Sequence, residues 1–369
     1  MNEEIVLKIL EEHGIDLVAS LPCDKNKRLT ALLPTKFPVI DLAREEDGVG
    51  ICAGAYLGGR KPLMSIQSSG LGNMMNALMS LSRTYDLPLP ILASWRGVYC
   101  EAICAQIPFN EPLPRMLDVY NIPYRIFSNA EDLKNLGEVI QGAYEMRTPF
   151  VALIKPSCWE PEESVEISYP RRVVPAKSFT LSGYADPQMV RLDAIRVITE
   201  FADEETLVVS NIGVPSKELY VTKDRDGNFY MLGSYMQASA IGLGCAVACP
   251  KKRVIVIDGD GSLLGSAVLP MVAASGTTNL TIVALDNGTF GSTGNQISPA
   301  YATADLSVLA LGAGITSVER AGSSEELWNA LEHGVSFVHV PLRPGNSSSP
   351  NISLSPTEIR NRFMKFCQR

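Results

Sequence analysis

The chain of 369 residues has only three histidines, His13, His333 and His339. None of the three stands at a strand end beside a motif, so His13 reads as solvated and His333 and His339 as structural. The eight cysteines (Cys23, Cys52, Cys100, Cys104, Cys158, Cys245, Cys249, Cys367) include no Cys-x-x-Cys pair. Cys100/Cys104 and Cys245/Cys249 share the i,i+4 spacing of a helix face, but no histidine lies near them. They read as small hydrophobes in a reducing compartment rather than as metal ligands. No apolar run approaches the ~18 residues of a membrane span. The opening Met1-Asn2-Glu3-Glu4 starts an acidic amphipathic helix, not a signal peptide. A cytoplasmic protein without a membrane partner is the expectation. With a formal net charge of −8 and no long Lys/Arg run, the chain offers no nucleic-acid surface. An anionic substrate must therefore be drawn by a local pocket. A P-loop is missing, and the Gly-x-Gly pairs at Gly70/Gly72, Gly242/Gly244 and Gly312/Gly314 lack the third glycine of a dinucleotide site.

What is present is alternation. Short β-rich runs such as 16–20, 63–67, 89–94 and 150–154 are separated by helix-period stretches, and the pattern resumes with 206–210, 254–257, 280–285 and 336–340. Continuous apolar strands joined by crossover helices imply parallel sheets covered on both faces. The fold class is therefore α/β, with two doubly wound parallel-sheet domains. A proline- and charge-bearing stretch without apolar period separates them, which is linker composition. The division expected is a first domain at 1–165, a linker at 166–186 and a second domain at 187–369. No repeat of fixed period relates the halves.

The most informative segment runs from Val254 through Gly259-Asp260-Gly261-Ser262. It is followed by a second apolar strand ending in Asp286-Asn287-Gly288-Thr289, and 25 residues lie between Gly261 and Asn287. Ligands of open α/β sheets bind beyond the carboxyl ends of strands. Two neighbouring strand ends can thus bring the carboxylate of Asp260 and the amide oxygen of Asn287 to one point, with the Thr289 carbonyl as a third oxygen. Hard oxygens of this kind suit Mg²⁺ completed by phosphate and water. Gly259 and Gly261 let the chain pass close to a diphosphate, and the helix beginning near Ser262 offers free N–H groups. Two plainer readings stand beside this one. Asp-Gly-Asp-Gly also suits a tight turn, and Asn287-Gly288 a hairpin, although 289–298 does not alternate like a returning strand.

The Gly-Asp-Gly…Asn pair resembles the diphosphate motif of the thiamine-diphosphate enzymes, whose fold comprises a pyrimidine domain followed by a diphosphate domain. Leu42-Ala-Arg-Glu-Glu-Asp-Gly-Val-Gly-Ile-Cys-Ala-Gly-Ala-Tyr resembles the helix whose leading glutamate contacts the cofactor's aminopyrimidine. Matching Ala53 and Tyr56 puts that catalytic glutamate at Glu46, with Glu45 one step out of register. On the residues alone, Glu45, Glu46 and Asp47 also suit the negative charge favoured at a helix N-terminus. Gly233-Ser234-Tyr235-Met236-Gln237 resembles the segment that bends the cofactor. The resemblance makes Gly233, Ser234 and Met236 cofactor contacts, with Met236 the bulky apolar residue and Gln237 where a glycine is usual. Gln67-Ser-Ser-Gly-Leu-Gly-Asn, Trp95-Arg-Gly, Asn211-Ile-Gly-Val-Pro-Ser-Lys-Glu-Leu-Tyr and Gly291-Ser-Thr-Gly-Asn-Gln look like the phosphonopyruvate and sulfopyruvate decarboxylases. Ser20-Leu-Pro-Cys-Asp-Lys-Asn-Lys and the absence of a middle domain point to the sulfopyruvate branch, here with its α and β parts fused.

The resemblance implies thiamine diphosphate and Mg²⁺ as cofactors. The reaction it implies is non-oxidative decarboxylation of 3-sulfopyruvate to sulfoacetaldehyde, on a route to coenzyme M. It also implies a homodimer or larger homo-oligomer with sites between chains. A small dianionic 2-oxo acid needs donors, for which Lys25, Lys27, Arg28, Ser69, Asn73 and Arg96 are the candidates. Arg96 leads because a guanidinium forks onto oxyanions. A phosphonopyruvate decarboxylase, an acetolactate-type carboligase, a cofactor-binding regulator and a binding module for another phosphorylated ligand remain as alternatives.

Overall fold

The computed structural model describes residues 2–160, 187–301 and 303–369. The expected 166–186 linker lies outside them. Six strands make the first sheet, β1 (Leu17–Ser20), β2 (Val39–Asp41), β3 (Pro62–Gln67), β4 (Leu89–Ser94), β5 (Tyr124–Phe127) and β6 (Pro149–Ile154). The second half adds β7 (Thr206–Ser210), β8 (Asn228–Tyr230), β9 (Arg253–Gly259), β10 (Leu280–Asp286), the short β11 (Thr289–Phe290) and β12 (Gln296–Ile297), then β13 (Val318–Arg320) and β14 (Phe337–Pro341). The first sheet is ordered β2-β1-β3-β4-β6-β5 and the second, read from its far edge, β8-β7-β9-β10-β14-β13. Numbered within each half with the separate β11–β12 ribbon left out, both orders are 2-1-3-4-6-5, and every neighbouring pair is parallel. The duplication invisible in the sequence is therefore complete in the topology. In both halves the order reverses between strands 1 and 3, which opens a crevice at their carboxyl ends.

The two halves meet through equivalent helices, Glu45–Leu57 after β2 and Ala238–Ala248 after β8. Both are rich in Gly and Ala and almost wholly buried, as a helix with no polar face must be. Their backbones nearly touch. A Cβ built on Gly54 would stand 2.0 Å from the Ile241 carbonyl oxygen, and one on Gly244 2.0 Å from that of Ile51. Glycine costs a helix interior about 1 kcal/mol against alanine, a cost offset here by the apolar surface the close crossing removes from water. One hydrophobic core runs through both sheets, while a second, under the Asn2–Glu12 helix, belongs to the first half alone. Polar ties reinforce the junction. The Tyr85 hydroxyl donates to the Tyr230 carbonyl at 2.9 Å and accepts from the Leu232 N–H at 2.7 Å.

Local differences from expectation have physical causes. The helix expected to begin near Ser262 is two, Asp260–Gly265 and Val268–Ser275. Asp47 of the first half breaks it by accepting from the Ser266 hydroxyl and the Ala267 N–H, at 2.8 and 3.0 Å. A short antiparallel ribbon does form after Gly288, between β11 and β12, but it turns at 291–295 and not at Asn287-Gly288.

Candidate active site

At the crevice of the second half lies a cavity of about 530 Å³, within the range of small-ligand sites. Its wall is built from the strand ends, with Asn211 and Ile212 after β7, Asp258 to Ser262 at β9, and Leu285, Asn287 and Thr289 at β10. Six expected residues (Gly259, Asp260, Gly261, Ser262, Asn287 and Thr289) therefore share one cavity. Asp260 is buried and accepts from the Ser298 hydroxyl. Burial pushes its carboxyl up to about 6 against that hydrogen bond, and the charge of Asp286 adds to the rise. Asn287 Oδ1 accepts from the Thr289 N–H at 3.1 Å, which fixes the amide and leaves its second lone pair for a cation. Among the described residues no three His, Cys, Asp or Glu side chains group as a metal cage. One carboxylate with amide and carbonyl oxygens is instead the donor set of a cation that keeps phosphate and water as ligands.

Behind this site stands a residue read from sequence as remote from any motif. His339, wholly buried on β14, bonds Asp286 Oδ2 through Nε2 at 2.8 Å and the Ser307 hydroxyl through Nδ1 at 2.9 Å. Asp286 Oδ1 accepts from the Gly288 N–H at 3.0 Å, so the histidine steadies the turn carrying Asn287. Its role is structural, as expected, but its place beside the motif corrects the reading from sequence. Only the β10–β14 pairing reveals that place.

The segment 233–237 closes the side of the cavity nearest the first half. A Cβ on Gly233 would meet the Ser80 carbonyl of the first half at 2.8 Å. Ser234 and Met236 both have positive φ, 67° and 74°. The glycine-favouring backbone thus falls on Met236, one residue before the position where the resemblance expects it. That shift turns Tyr235 to the cavity wall, where its hydroxyl donates to the Gly261 carbonyl at 2.6 Å. Met236 packs its sulfur at Gly265 instead. The Ser234 hydroxyl and both polar atoms of Gln237 are buried without a partner among the described residues. Buried polar groups left unpaired are costly, so this segment suits a ligand that supplies the missing bonds.

Glu46 reaches the same region from the first half. Its carboxylate pairs with Arg44 at 2.6 Å, and Arg44 in turn donates to the Gly265 carbonyl at 3.2 Å. Burial raises the Glu46 carboxyl above its ordinary value, with Arg44 pulling it down and Asp47 adding to the rise. The three acidic residues have separate fates. Glu45 accepts from Asn73 at 3.0 Å, Glu46 pairs with Arg44, which itself reaches the Gly265 carbonyl, and Asp47 caps the Val268–Ser275 helix.

The substrate candidates fare less well. Arg96 is buried, but all three guanidinium nitrogens are taken. Glu101 receives Nε at 2.6 Å and Nη2 at 2.8 Å, while Nη1 serves Asp24 and Gln67. Two carboxylates thus share the one guanidinium in this arrangement. Ser69 accepts from Gln67 at 2.6 Å, and Asn73 is held by Glu45. Lys25 pairs with Asp24 at 3.7 Å, and Lys27 is exposed and Arg28 half-buried on the Lys27–Leu32 helix. None of the six lines the Asp260 cavity. The sequence reading missed Tyr235, Asn211, Ser298 and Arg191. Asn211 and Tyr235 sat inside segments already singled out, whereas nothing local marks Ser298 or Arg191.

Two doubly wound halves of one strand order, with a Gly-Asp-Gly crevice in the second, place the chain with the thiamine-diphosphate-dependent enzymes. The profile of the thiamine pyrophosphate enzyme C-terminal TPP binding domain accordingly matches residues 219–340. The chain is 46% identical to the sulfopyruvate decarboxylase of Methanosarcina acetivorans over 98% of its own length and 96% of that protein's. It is 30% identical to the phosphonopyruvate decarboxylase of Streptomyces hygroscopicus, covering 96% and 90%. It belongs to the family of these sulfopyruvate and phosphonopyruvate decarboxylases. In Methanocaldococcus jannaschii the halves match separate proteins. Sulfopyruvate decarboxylase subunit beta is 41% identical over 48% of this chain, and subunit alpha 35% over 42%, with 97% and 94% of the subunits covered. The chain is thus built as a fusion of the two. A thiamin diphosphate-dependent enzyme from Mycobacterium smegmatis, 14% identical, shares the fold at a TM-score of 0.72 over 94% of this chain and 100% of that one.

Proposed function

We propose that the chain decarboxylates 3-sulfopyruvate to sulfoacetaldehyde and CO₂, on a route to coenzyme M, using thiamine diphosphate and Mg²⁺. The observation that carries this reading is the Asp260–Asn287 cavity at the strand ends of the second half, with Glu46 of the first half tied through Arg44 to Gly265, the last residue of the helix that Asp260 begins. When bound, thiamine diphosphate supplies a carbon nucleophile and an electron sink for decarboxylation. Asp260, Asn287 and the Thr289 carbonyl would hold Mg²⁺ on the diphosphate, and Tyr235 would line the wall beside them. Glu46 would exchange Arg44 for a pyrimidine ring nitrogen and hold a proton there, a role its raised carboxyl value favours. In the net reaction the bond to the carboxylate breaks, CO₂ leaves and a proton takes its place. Sulfopyruvate as substrate is supported by the higher identity to sulfopyruvate decarboxylase than to phosphonopyruvate decarboxylase.

A homodimer or larger assembly belongs to the same proposal, although one chain already brings Glu46 beside its own Gly265. No described helix is long and apolar enough to cross a membrane, and a cytoplasmic site of action accords with that. CO₂ release from sulfopyruvate, phosphonopyruvate and pyruvate, with and without thiamine diphosphate and Mg²⁺, tests the reading. Cofactor-dependent turnover with sulfopyruvate preferred is expected. Preference for phosphonopyruvate would reassign the substrate, and no turnover of any would overturn the activity.

A further inference from the structure

Arg191 opens the Arg191–Phe201 helix and lines the Asp260 cavity, yet no motif marks it. It is 6% exposed. Glu218 grips one edge of its guanidinium, receiving Nε at 2.7 Å and Nη2 at 3.2 Å. Nη2 also donates to Asn346 Oδ1 at 2.9 Å, and Asn346 Nδ2 donates to the Gly291 carbonyl at 2.6 Å. The Ser347 N–H completes the Glu218 shell at 3.2 Å. Everything on this edge fixes the orientation of the plane. Nη1, on the other edge, has no partner among the described residues. A Cβ placed on Gly291 would lie 3.2 Å from Nη1 and 3.6 Å from Asn287 Nδ2, so Nη1 and the Asn287 amide border the same small space.

A guanidinium cannot shed its proton to escape burial, and buried donors left unpaired are costly. Among the described residues lining the cavity it is the only cation, facing Asp258 and Asp260. A tetrahedral oxyanion is the ligand whose oxygens meet such an N–H pair. Two sources offer one, the terminal phosphate of the cofactor and the sulfonate of the substrate. The neighbourhood of Asn287 favours the phosphate. We propose that Arg191, aimed by Glu218, is an anion clamp that holds the terminal phosphate of thiamine diphosphate beside the Asp260–Asn287 cation site. This rests on the function proposed above.

The test is calorimetric titration of the full chain at fixed Mg²⁺ with thiamine diphosphate, thiamine monophosphate and inorganic diphosphate. R191K keeps a charge for Glu218 but loses the second edge. R191Q/E218Q removes the pair without stranding a buried carboxylate, and decides the matter if R191K does not fold. Binding of thiamine diphosphate and of inorganic diphosphate should weaken at least about tenfold in the variants, while thiamine monophosphate binding stays within about twofold. A folded variant that binds thiamine diphosphate as tightly as the parent would overturn the clamp. So would a variant changed only in its KM for sulfopyruvate, which would move Arg191 to the substrate. If the parent chain binds no thiamine diphosphate, the proposed function fails. Inorganic diphosphate then still reads Arg191, and its binding equally well to parent and variants, or to neither, would overturn the clamp too.

Discussion

Gly54→Ala is the sharpest perturbation available, because it touches nothing but the seam between the halves. The added methyl would sit 2.0 Å from the Ile241 carbonyl oxygen, 2.8 Å from its carbon and 2.9 Å from the Cys245 nitrogen. These are backbone atoms of a buried helix, so no rotamer change makes room. Carbon and carbonyl oxygen rest no closer than about 3.3 Å, which forces the two helices roughly 1 Å apart. Overpacking of this kind costs about 1–3 kcal/mol, and contact with rigid backbone argues for the upper end. Alanine returns about 1 kcal/mol of helix propensity, leaving a net loss of about 2 kcal/mol. At about 2.1 cal/mol/K of unfolding entropy per residue, a chain of 369 residues shifts about 1–2 °C per kcal/mol, so Tm should fall by about 2–4 °C. The displacement also moves Glu46 relative to Gly265 and Met236, and a misplacement of about 1 Å can cost on the order of 100-fold in turnover. Thermal unfolding and the decarboxylation rate at saturating thiamine diphosphate and Mg²⁺ read the two effects separately. Gly312→Ala is the control, since a Cβ there meets nothing within 4 Å and should leave both unchanged or raise Tm slightly. A Gly54→Ala protein with parental Tm and turnover would refute the claim that this crossing sets the site.

Glu46→Gln should bind thiamine diphosphate within a few-fold of the parent but lose about 10²–10⁴-fold in turnover, the usual worth of a positioned acid or base. Normal turnover would remove Glu46 from the chemistry. Asp260→Ala should abolish the Mg²⁺ dependence of cofactor binding measured by fluorescence titration, and unchanged dependence would place the cation elsewhere. The Arg96–Glu101 pair should show itself in stability and not in KM. Hydrogen bonds from Arg96 hold the Glu101 carboxyl down at about 2, below its ordinary 4.5. A depressed carboxyl stabilises the fold fully above its unfolded value and loses that contribution as pH falls toward the folded one. The urea midpoint of the parent should therefore exceed that of Glu101→Gln by a constant gap above about pH 4.5. The gap should shrink steadily below that value, and a pH-independent gap would contradict the assignment.

Much of the site was legible because its elements are local. A buried strand, two glycines around Asp260 and a second strand ending in Asn287 announce a crevice at strand ends, and neighbouring strands then bring both residues to one cavity. The first-half helix was equally readable, since a run from Val49 to Leu57 without a polar face belongs inside a protein. Signals that depend on a partner were not. Arg96 looked like a free anion donor because nothing near it in sequence names Asp24, 72 residues away, as its counterion. Tyr235 and Met236 differ by one residue, yet which of them faces the cavity depends on backbone twist that no pattern encodes.

The sequence by itself determined the fold class, the family and the strand-end pair Asp260 and Asn287, because period, glycine placement and strand-end chemistry act over a few residues. Tertiary structure alone decided that the halves share one strand order, that Asp47 reaches across to cap a helix of the second half, and that His339 lies behind Asn287. It alone decided, too, that Arg191 and not Arg96 keeps an open guanidinium edge. Each of these turns on which residues distant in the chain share a buried space, and close packing settles that only when the whole chain is folded.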